Sequence, residues 1–254
     1  VQVVCITTPS GAHLEPALAA VRAGKHVVIE KPIEITTERA DLLLREAARA
    51  GVQVAPIFQA RFGEGARRLK AALETGRFGR LVLASAYVKW HRPDSYYTGW
   101  KGTLALDGGG ALMNQAIHAI DLLQWFAGMP AEVFCWKTRR VYTRVEILGG
   151  RRSINLEDDR LAKWEFRDAT PEDEAIRSAG VDPEMVSGAT APNAITHHGH
   201  RRQIQDLIDA LQLGRPVAVD GREARKAVAL IRALYDSAEQ GRPVAPAVEA
   251  GDLA

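Results

Sequence analysis

Two short stretches of the chain carry side chains able to move protons and hold a polar ligand. The first is Gly24-Lys25-His26-Val27-Val28-Ile29-Glu30-Lys31-Pro32, an apolar strand that runs into a charged pair and stops at a proline. Ligands of open α/β sheets bind beyond the carboxyl ends of the strands. A lysine delivered there meets a ligand, whereas one residue earlier it would lie inside the sheet. The second stretch is Gly108-Gly109-Gly110-Ala111-Leu112-Met113-Asn114-Gln115-Ala116-Ile117-His118-Ala119-Ile120-Asp121. Three glycines ahead of a helix clear side-chain bulk where a ligand can approach the backbone. The helix start adds free N–H groups and a positive dipole end. Asn114 and His118, four apart, fall on one helical face, with Asp121 three further on. Each stretch taken singly also has a plain reading: a strand end with a solvated ion pair, and a glycine turn followed by a polar stripe facing water.

The elements that must position these groups follow from periodicity. Val1 to Thr7 reads as a strand buried on both faces, followed by a Thr8-Pro9-Ser10-Gly11 turn. Leu14 to Ala23 is a helix ended by Gly24, and His26 to Ile29 is a second strand. Thr37 to Ala50 is a helix closed by Gly51, and Val52 to Phe58 is a third strand. This alternation predicts a parallel sheet with right-handed crossovers. After Arg61 the pattern changes. Glu64 to Thr75 is a helix, Leu81 to Trp90 a long strand, and His91 to Leu106 a polar, aromatic loop. A helix then runs from the triple glycine to Phe126. Glu132 to Phe166 is strand-rich, with hairpin turns at Gly149-Gly150 and Asp158-Asp159. Asp168 to Thr196 has no sustained period and reads as an irregular excursion. Arg201 to Leu213 and Arg222 to Glu239 are helices. The expected architecture is α/β followed by α+β, with residues 1–62 as one domain and 63–254 as a second. Val133 to Leu148 lacks any turn signal and exceeds the usual strand of roughly 3–10 residues. That predicts a segment missing near Val141–Tyr142.

Composition excludes several classes of partner. Lys plus Arg is 33 against 31 Asp plus Glu, and the arginines are scattered, so neither a nucleic acid nor another polyanion is expected. No apolar run reaches membrane-spanning length, so no membrane partner is expected. The two cysteines, Cys5 and Cys135, fit reduced thiols in the cytoplasm. His197-His198-Gly199-His200 lacks the carboxylate or cysteine spacing of a metal site, and no metal is expected. It reads instead as a loop facing a substrate, with His197 as a contact. The loop holding Tyr96, Tyr97 and Trp100 suits sugar stacking or a subunit contact. Arg201 and Arg202 suit either an acidic sugar or a solvated helix start.

In order along the chain come Thr8-Pro9 with His13, Glu30-Lys31-Pro32, Gln59 with Arg61-Phe62, and Gly76-Arg77-Phe78-Gly79. Trp100, the triple glycine, His118 with Asp121, and Tyr235-Asp236-Ser237-Ala238 follow. With these motifs the chain resembles the glucose–fructose oxidoreductase, inositol dehydrogenase and MocA family of nicotinamide-dependent oxidoreductases. The resemblance implies a Rossmann domain, doubly wound around a parallel sheet, then an open, mostly antiparallel sheet with helices on one face. It places the nicotinamide end of NAD or NADP at Thr8, Pro9, His13, Glu30, Lys31 and Gln59, with Trp100 reaching over from the second domain. It implies a cis Lys31–Pro32 bond. Lys31, Asn114, His118, Tyr97 and His197 would contact a sugar or polyol, with His118 accepting the hydroxyl proton and Lys31 supporting the developing charge. Many relatives carry aspartate where this chain has Asn114, and an amide takes no proton, so base work falls to His118 or Lys31.

Three further expectations follow from the resemblance. An upstream mononucleotide-binding half with a glycine-rich pyrophosphate loop would add about two βαβ units of ~30 residues each. The uncovered sheet face would pair subunits into a homodimer or homotetramer. The same fold and cofactor also serve redox-assisted glycoside cleavage and carbonyl or imine reduction. A non-catalytic ligand-binding homologue is a third reading, disfavoured by retention of both Lys31 and His118.

Overall fold

Val27 and Ile29 point to one side of their strand and Val28 to the other, and both sides are covered. The computed structural model describes residues 1–88, 92, 94–135, 143–149, 152–157, 160–166, 170–178 and 197–248. Its first half alternates β1 (Val3–Ile6), α1 (Leu14–Arg22), β2 (His26–Ile29), α2 (Thr37–Ala50) and β3 (Val54–Pro56). The strands form a parallel sheet in the order β1-β2-β3. Local chemistry sets the helix limits. The Thr36 hydroxyl accepts from the Arg39 N–H to cap α2, and Gly51, at φ 65°, ends it. The buried Glu34 carboxylate accepts from the Leu14 N–H at 2.9 Å, pinning the start of α1 to the segment that follows β2.

The second half contains α3 (Glu64–Glu74), β4 (Leu81–Val88), α4 (Leu104–Asp107), α5 (Ile117–Ala127), β5 (Thr143–Gly149), β6 (Arg152–Glu157), β7 (Arg160–Phe166), α6 (Pro171–Ser178), α7 (His198–Leu213) and α8 (Gly221–Gln240). The four strands make an antiparallel sheet in sequence order. Helices α3 and α5 cover one of its faces through Leu69, Ala72, Leu122 and Phe126, against Leu156 and Trp164. Leu83 and Tyr87 of β4 are exposed. The last two helices return to the parallel sheet. Leu207 and Ala210 of α7 pack on Val28, Ala55 and Ile57. On the opposite side Ala224, Val228 and Ile231 of α8 join α1, α2 and residues of α5 in the main core.

Several expectations from the sequence need correction. The first strand is Val3–Ile6, shorter than Val1–Thr7. The helix after the triple glycine is not uniform: Ala111–Ala116 is π-helical before α5 begins. Part of the supposed irregular excursion, Pro171–Ser178, is α6. Its Asp173 is buried, accepting from Trp164 Nε1 at 2.9 Å and from the Thr170 N–H at 2.8 Å. Eight residues are too few to display a period. The long apolar run divides, since Val133 pairs with Val244 whereas β5 begins at Thr143. The Val141–Tyr142 junction lies outside the described residues.

Candidate active site

Strand β2 delivers Lys31 to the carboxyl edge of the parallel sheet. The Glu30 N–H still donates to Ile6 O, at 3.0 Å, and the Lys31–Pro32 peptide that follows is cis. His13, at the head of α1, is 1% exposed, and its ring nitrogens each lie 2.9 Å from a backbone carbonyl, one of Pro32 and one of Thr8. The Thr8 hydroxyl in turn donates to Ala12 O at 3.0 Å. His13 thus ties the Thr8-Pro9 turn to the Lys31-Pro32 turn from inside the protein.

The Lys31 ammonium reaches α5's approach segment, donating to the Asn114 carbonyl at 2.6 Å. Burial pushes the Lys31 pKa down; the Glu30 and Asp107 carboxylates oppose this and Lys101 adds to it. Burial works to raise the Glu30 carboxyl, but the balance falls below its ordinary value, with His200 the main opposing influence. His200 Nε2 lies 3.6 Å from Glu30 Oε1. His118 Nε2 is 3.4 Å from the Gln59 side-chain nitrogen, and the ring meets Phe58 edge-on at 5.7 Å between centroids. Burial, with the Lys31 charge next, pushes His118 down to about 3, so the ring is neutral. Gln59 is held from behind by α7: a Cβ on Gly199 would sit 3.0 Å from Gln59 Cβ. Two buried atoms here, Gln59 Oε1 and His118 Nδ1, have no hydrogen-bond partner among the described residues.

Asn114 enters this group through its backbone. Its side chain is engaged elsewhere: Nδ2 donates to Asp107 Oδ1 at 2.6 Å, and Oδ1 accepts from the Tyr96 hydroxyl at 3.2 Å. Asp121 also points away from Lys31. It forms a bidentate pair with Arg61 at 2.6 and 2.8 Å, and Arg61 further contacts Glu223 at 3.1 Å and lies 5.0 Å over the Trp125 ring. The triple glycine is required by packing within the protein. A Cβ on Gly108 would lie 2.9 Å from Ile35, and one on Gly109 2.8 Å from the Tyr235 ring. The sequence reading assigned that space to a ligand.

The structure therefore brings Glu30, Lys31, Gln59, Asn114 and His118 together, braced by Thr8 and His13, with Pro9 in the intervening turn. Tyr97, Trp100 and His197 make no side-chain hydrogen bond to this group among the described residues. Tyr97 is 40% exposed and stands edge-on to Tyr96, whose hydroxyl is the one that reaches Asn114. Trp100 is half-buried, its carbonyl bound by the Thr103 hydroxyl at 2.7 Å. His197 is exposed and stacks on His198 at 4.4 Å. The expected loop at His197–His200 is instead the start of α7, which turns His200 toward Glu30. Tyr96 and His200 lay in stretches the sequence marked as facing a substrate, without a role of their own, and Asp107 was not singled out. The adjacency of Asp107 to the triple glycine was the available signal for it.

The site thus sets a lysine at the carboxyl edge of a parallel sheet, next to a neutral histidine on a helix packed against an antiparallel sheet. Residues 1–58 match the oxidoreductase family with an NAD-binding Rossmann fold. Residues 66–179 match a GFO/IDH/MocA C-terminal domain, and residues 131–245 the C-terminal alpha/beta domain of the oxidoreductase family. The chain belongs to the Gfo/Idh/MocA family. It is 33% identical over 125 residues to 1,5-anhydro-D-fructose reductase of Ensifer adhaerens, a match covering 49% of this chain and 37% of that protein. It is 26% identical over 266 residues to D-xylose 1-dehydrogenase (NADP(+)) 2 of Haloferax volcanii, covering 95% and 79%. Among solved structures, the WlbA dehydrogenase of Bordetella pertussis, in complex with NADH and UDP-GlcNAcA, superposes with a TM-score of 0.85. That match is 28% identical and covers 98% of this chain and 80% of that one. The matched stretch thus spans little more than a third of the first of these relatives.

Proposed function

We propose that the protein is an NAD- or NADP-dependent dehydrogenase that oxidises a hydroxyl of a sugar, sugar acid, nucleotide sugar or polyol. The observation that carries this reading is the pairing of the Lys31 ammonium with a neutral His118 at the carboxyl edge of a parallel sheet. A nicotinamide fits these residues. Gln59 Oε1 is a buried acceptor without a partner among the described residues, suited to an amide or ribose hydroxyl. A nicotinamide held there would supply the hydride acceptor for the carbinol carbon. The protein's own residues handle the proton. In this reading the neutral ring carries its lone pair on Nε2, the atom 3.4 Å from the Gln59 side chain. The substrate hydroxyl replaces that long 3.4 Å contact and gives its proton to Nε2. Lys31 Nζ donates to the same oxygen, stabilising negative charge as the C=O bond forms.

In this reading residues 1–62 form the cofactor side and 63–254 the substrate side, with Trp100, Tyr97 and His197 closing over the substrate. The WlbA dehydrogenase, bound to a nucleotide sugar acid, favours a nucleotide-linked sugar within the substrate range. The relative that reduces a keto sugar supports carbonyl reduction as the reverse direction of the same chemistry. The exposed Leu83 and Tyr87 of β4 mark the sheet face through which a homodimer or homotetramer would form. The cysteine content, two in 254 residues, fits a cytoplasmic location, and no helix among the described residues is long and apolar enough to cross a membrane. The test is reduced-nicotinamide formation by the purified full-length protein with NAD and NADP, against polyols, aldoses and nucleotide sugars. Turnover that disappears in Lys31→Met supports the reading. Undiminished turnover in that variant overturns it.

A further inference from the structure

We infer that Asp107, a carboxylate buried at the end of α4, is the fixed counter-anion of Lys31, acting through Asn114 to hold the ammonium in place and in its charged form. Asp107 is 1% exposed, too deep for water to stabilise its charge. Both of its oxygens are committed. Oδ2 accepts from the Gly102 N–H at 2.5 Å and Oδ1 from the Asn114 amide at 2.6 Å. The residue whose side chain Asp107 grips is the one whose backbone carbonyl grips Lys31 Nζ at 2.6 Å. One amide residue therefore couples a buried anion to a half-buried cation without direct contact between them. The Tyr96 hydroxyl on Asn114 Oδ1 completes the clamp, and Lys101 lies 4.0 Å from the Tyr96 ring.

The charged and titratable groups around Lys31 come from four elements. Glu30 is its chain neighbour, Asp107 and Lys101 belong to the loop and short helix before the glycines, His118 is on α5, and His200 on α7 faces it through Glu30. Burial alone would discharge an ammonium. Glu30 and Asp107 are the two anions opposing that, and only Asp107 is tied to the group that Lys31 binds. A carboxylate lies one hydrogen bond behind position 114, where this chain carries an amide. Asp107 is thus a positioning residue: it touches no reacting atom.

The readout is Lys31 itself, so the test stands or falls separately from the assignment of a substrate. Competitive acylation of the full-length protein across pH, quantified at Lys31 by mass spectrometry, gives the apparent pKa of that one amine. Asp107→Asn should lower it by about one unit, the smaller end of what a nearby opposite charge supplies. The exchanged pair Asp107→Asn with Asn114→Asp, which moves the charge across the same hydrogen bond, should restore it. Should Asp107→Asn not fold, Asn114→Ala keeps the test: it removes the side chain that joins Asp107 to the carbonyl Lys31 binds, keeps that carbonyl, and should lower the Lys31 pKa in the same direction. An unchanged Lys31 titration in a folded Asp107→Asn variant overturns the proposal. So does an exchanged pair that titrates like the single variant, or an Asn114→Ala variant with no fall.

Discussion

Helix α5 and the segment leading into it serve two polar clusters, one buried around Arg61 and Asp121 and one half-buried around Lys31 and His118, that differ in how fully their groups are paired. In the first, Arg61 spans Asp121 and Glu223, Gln124 adds a hydrogen bond to Asp121, and Trp125 lies against the guanidinium. Arg61 is 4% exposed and Asp121 0%, and each charge faces an opposite one. In the second, the Lys31 ammonium donates to the Asn114 carbonyl, and among the described residues no carboxylate forms an ion pair with it; Glu30 accepts from the Lys31 backbone N–H at 3.3 Å. His118 touches Gln59 at a long distance, and two buried atoms are left open. A saturated ion pair holds elements together and has nothing left to offer a ligand. A partly satisfied group costs stability and retains binding capacity, which is the usual condition of an active site.

The contrast breaks in graded steps. The largest effect on stability should come from Arg61→Ala, which leaves Asp121 charged, buried and unpaired. A loss of about 3–5 kcal/mol is expected in denaturant unfolding, and burial already raises the Asp121 carboxyl against the pull of Arg61. His118→Asn should do the reverse, lowering kcat about 100-fold or more while cofactor affinity and the unfolding midpoint stay close to the parent's. Equal damage to stability by the two variants would erase the distinction between the clusters.

His118 also predicts a pH dependence. Its pKa falls from 6.5 to about 3 on folding, so between those values the unfolded chain binds the extra proton. Stability associated with the neutral ring is complete above about pH 6.5 and declines as pH drops toward 3. Thermal midpoints over that range should slope less in His118→Asn than in the parent; equal slopes would contradict a neutral buried ring. The smallest effect should come from a helix cap. Asp220 caps α8 by accepting from the Glu223 N–H at 3.0 Å, and Asp220→Ala should cost about 1 kcal/mol with kcat unchanged.

Much of this was legible in the sequence, for reasons that particular residues make clear. Strong periodicity and glycine stops set the limits of α2, α7 and α8 to within a few residues. The proline after Lys31 marked where the strand delivers its charge. Pairings between distant residues were not legible. Gln59 and Arg61 sit two apart, yet one serves His118 and the other Asp121, a division fixed only once α5 and α8 pack together. The helical-face argument for Asn114 failed because the Ala111–Ala116 turn is π-helical, which breaks the four-residue register with His118. The triple glycine was legible as a place without side chains, but not as the place where Ile35 and Tyr235 press in.

The most direct test of the central claim is a single-turnover measurement on the full-length protein with oxidised cofactor and a substrate the parent oxidises, comparing the parent with Lys31→Met and His118→Asn. The account predicts that both variants bind the cofactor and both lose the rate of reduced-nicotinamide formation, with His118→Asn recovering partially as pH rises and solvent base takes the proton. A rate in either variant equal to the parent's would contradict it.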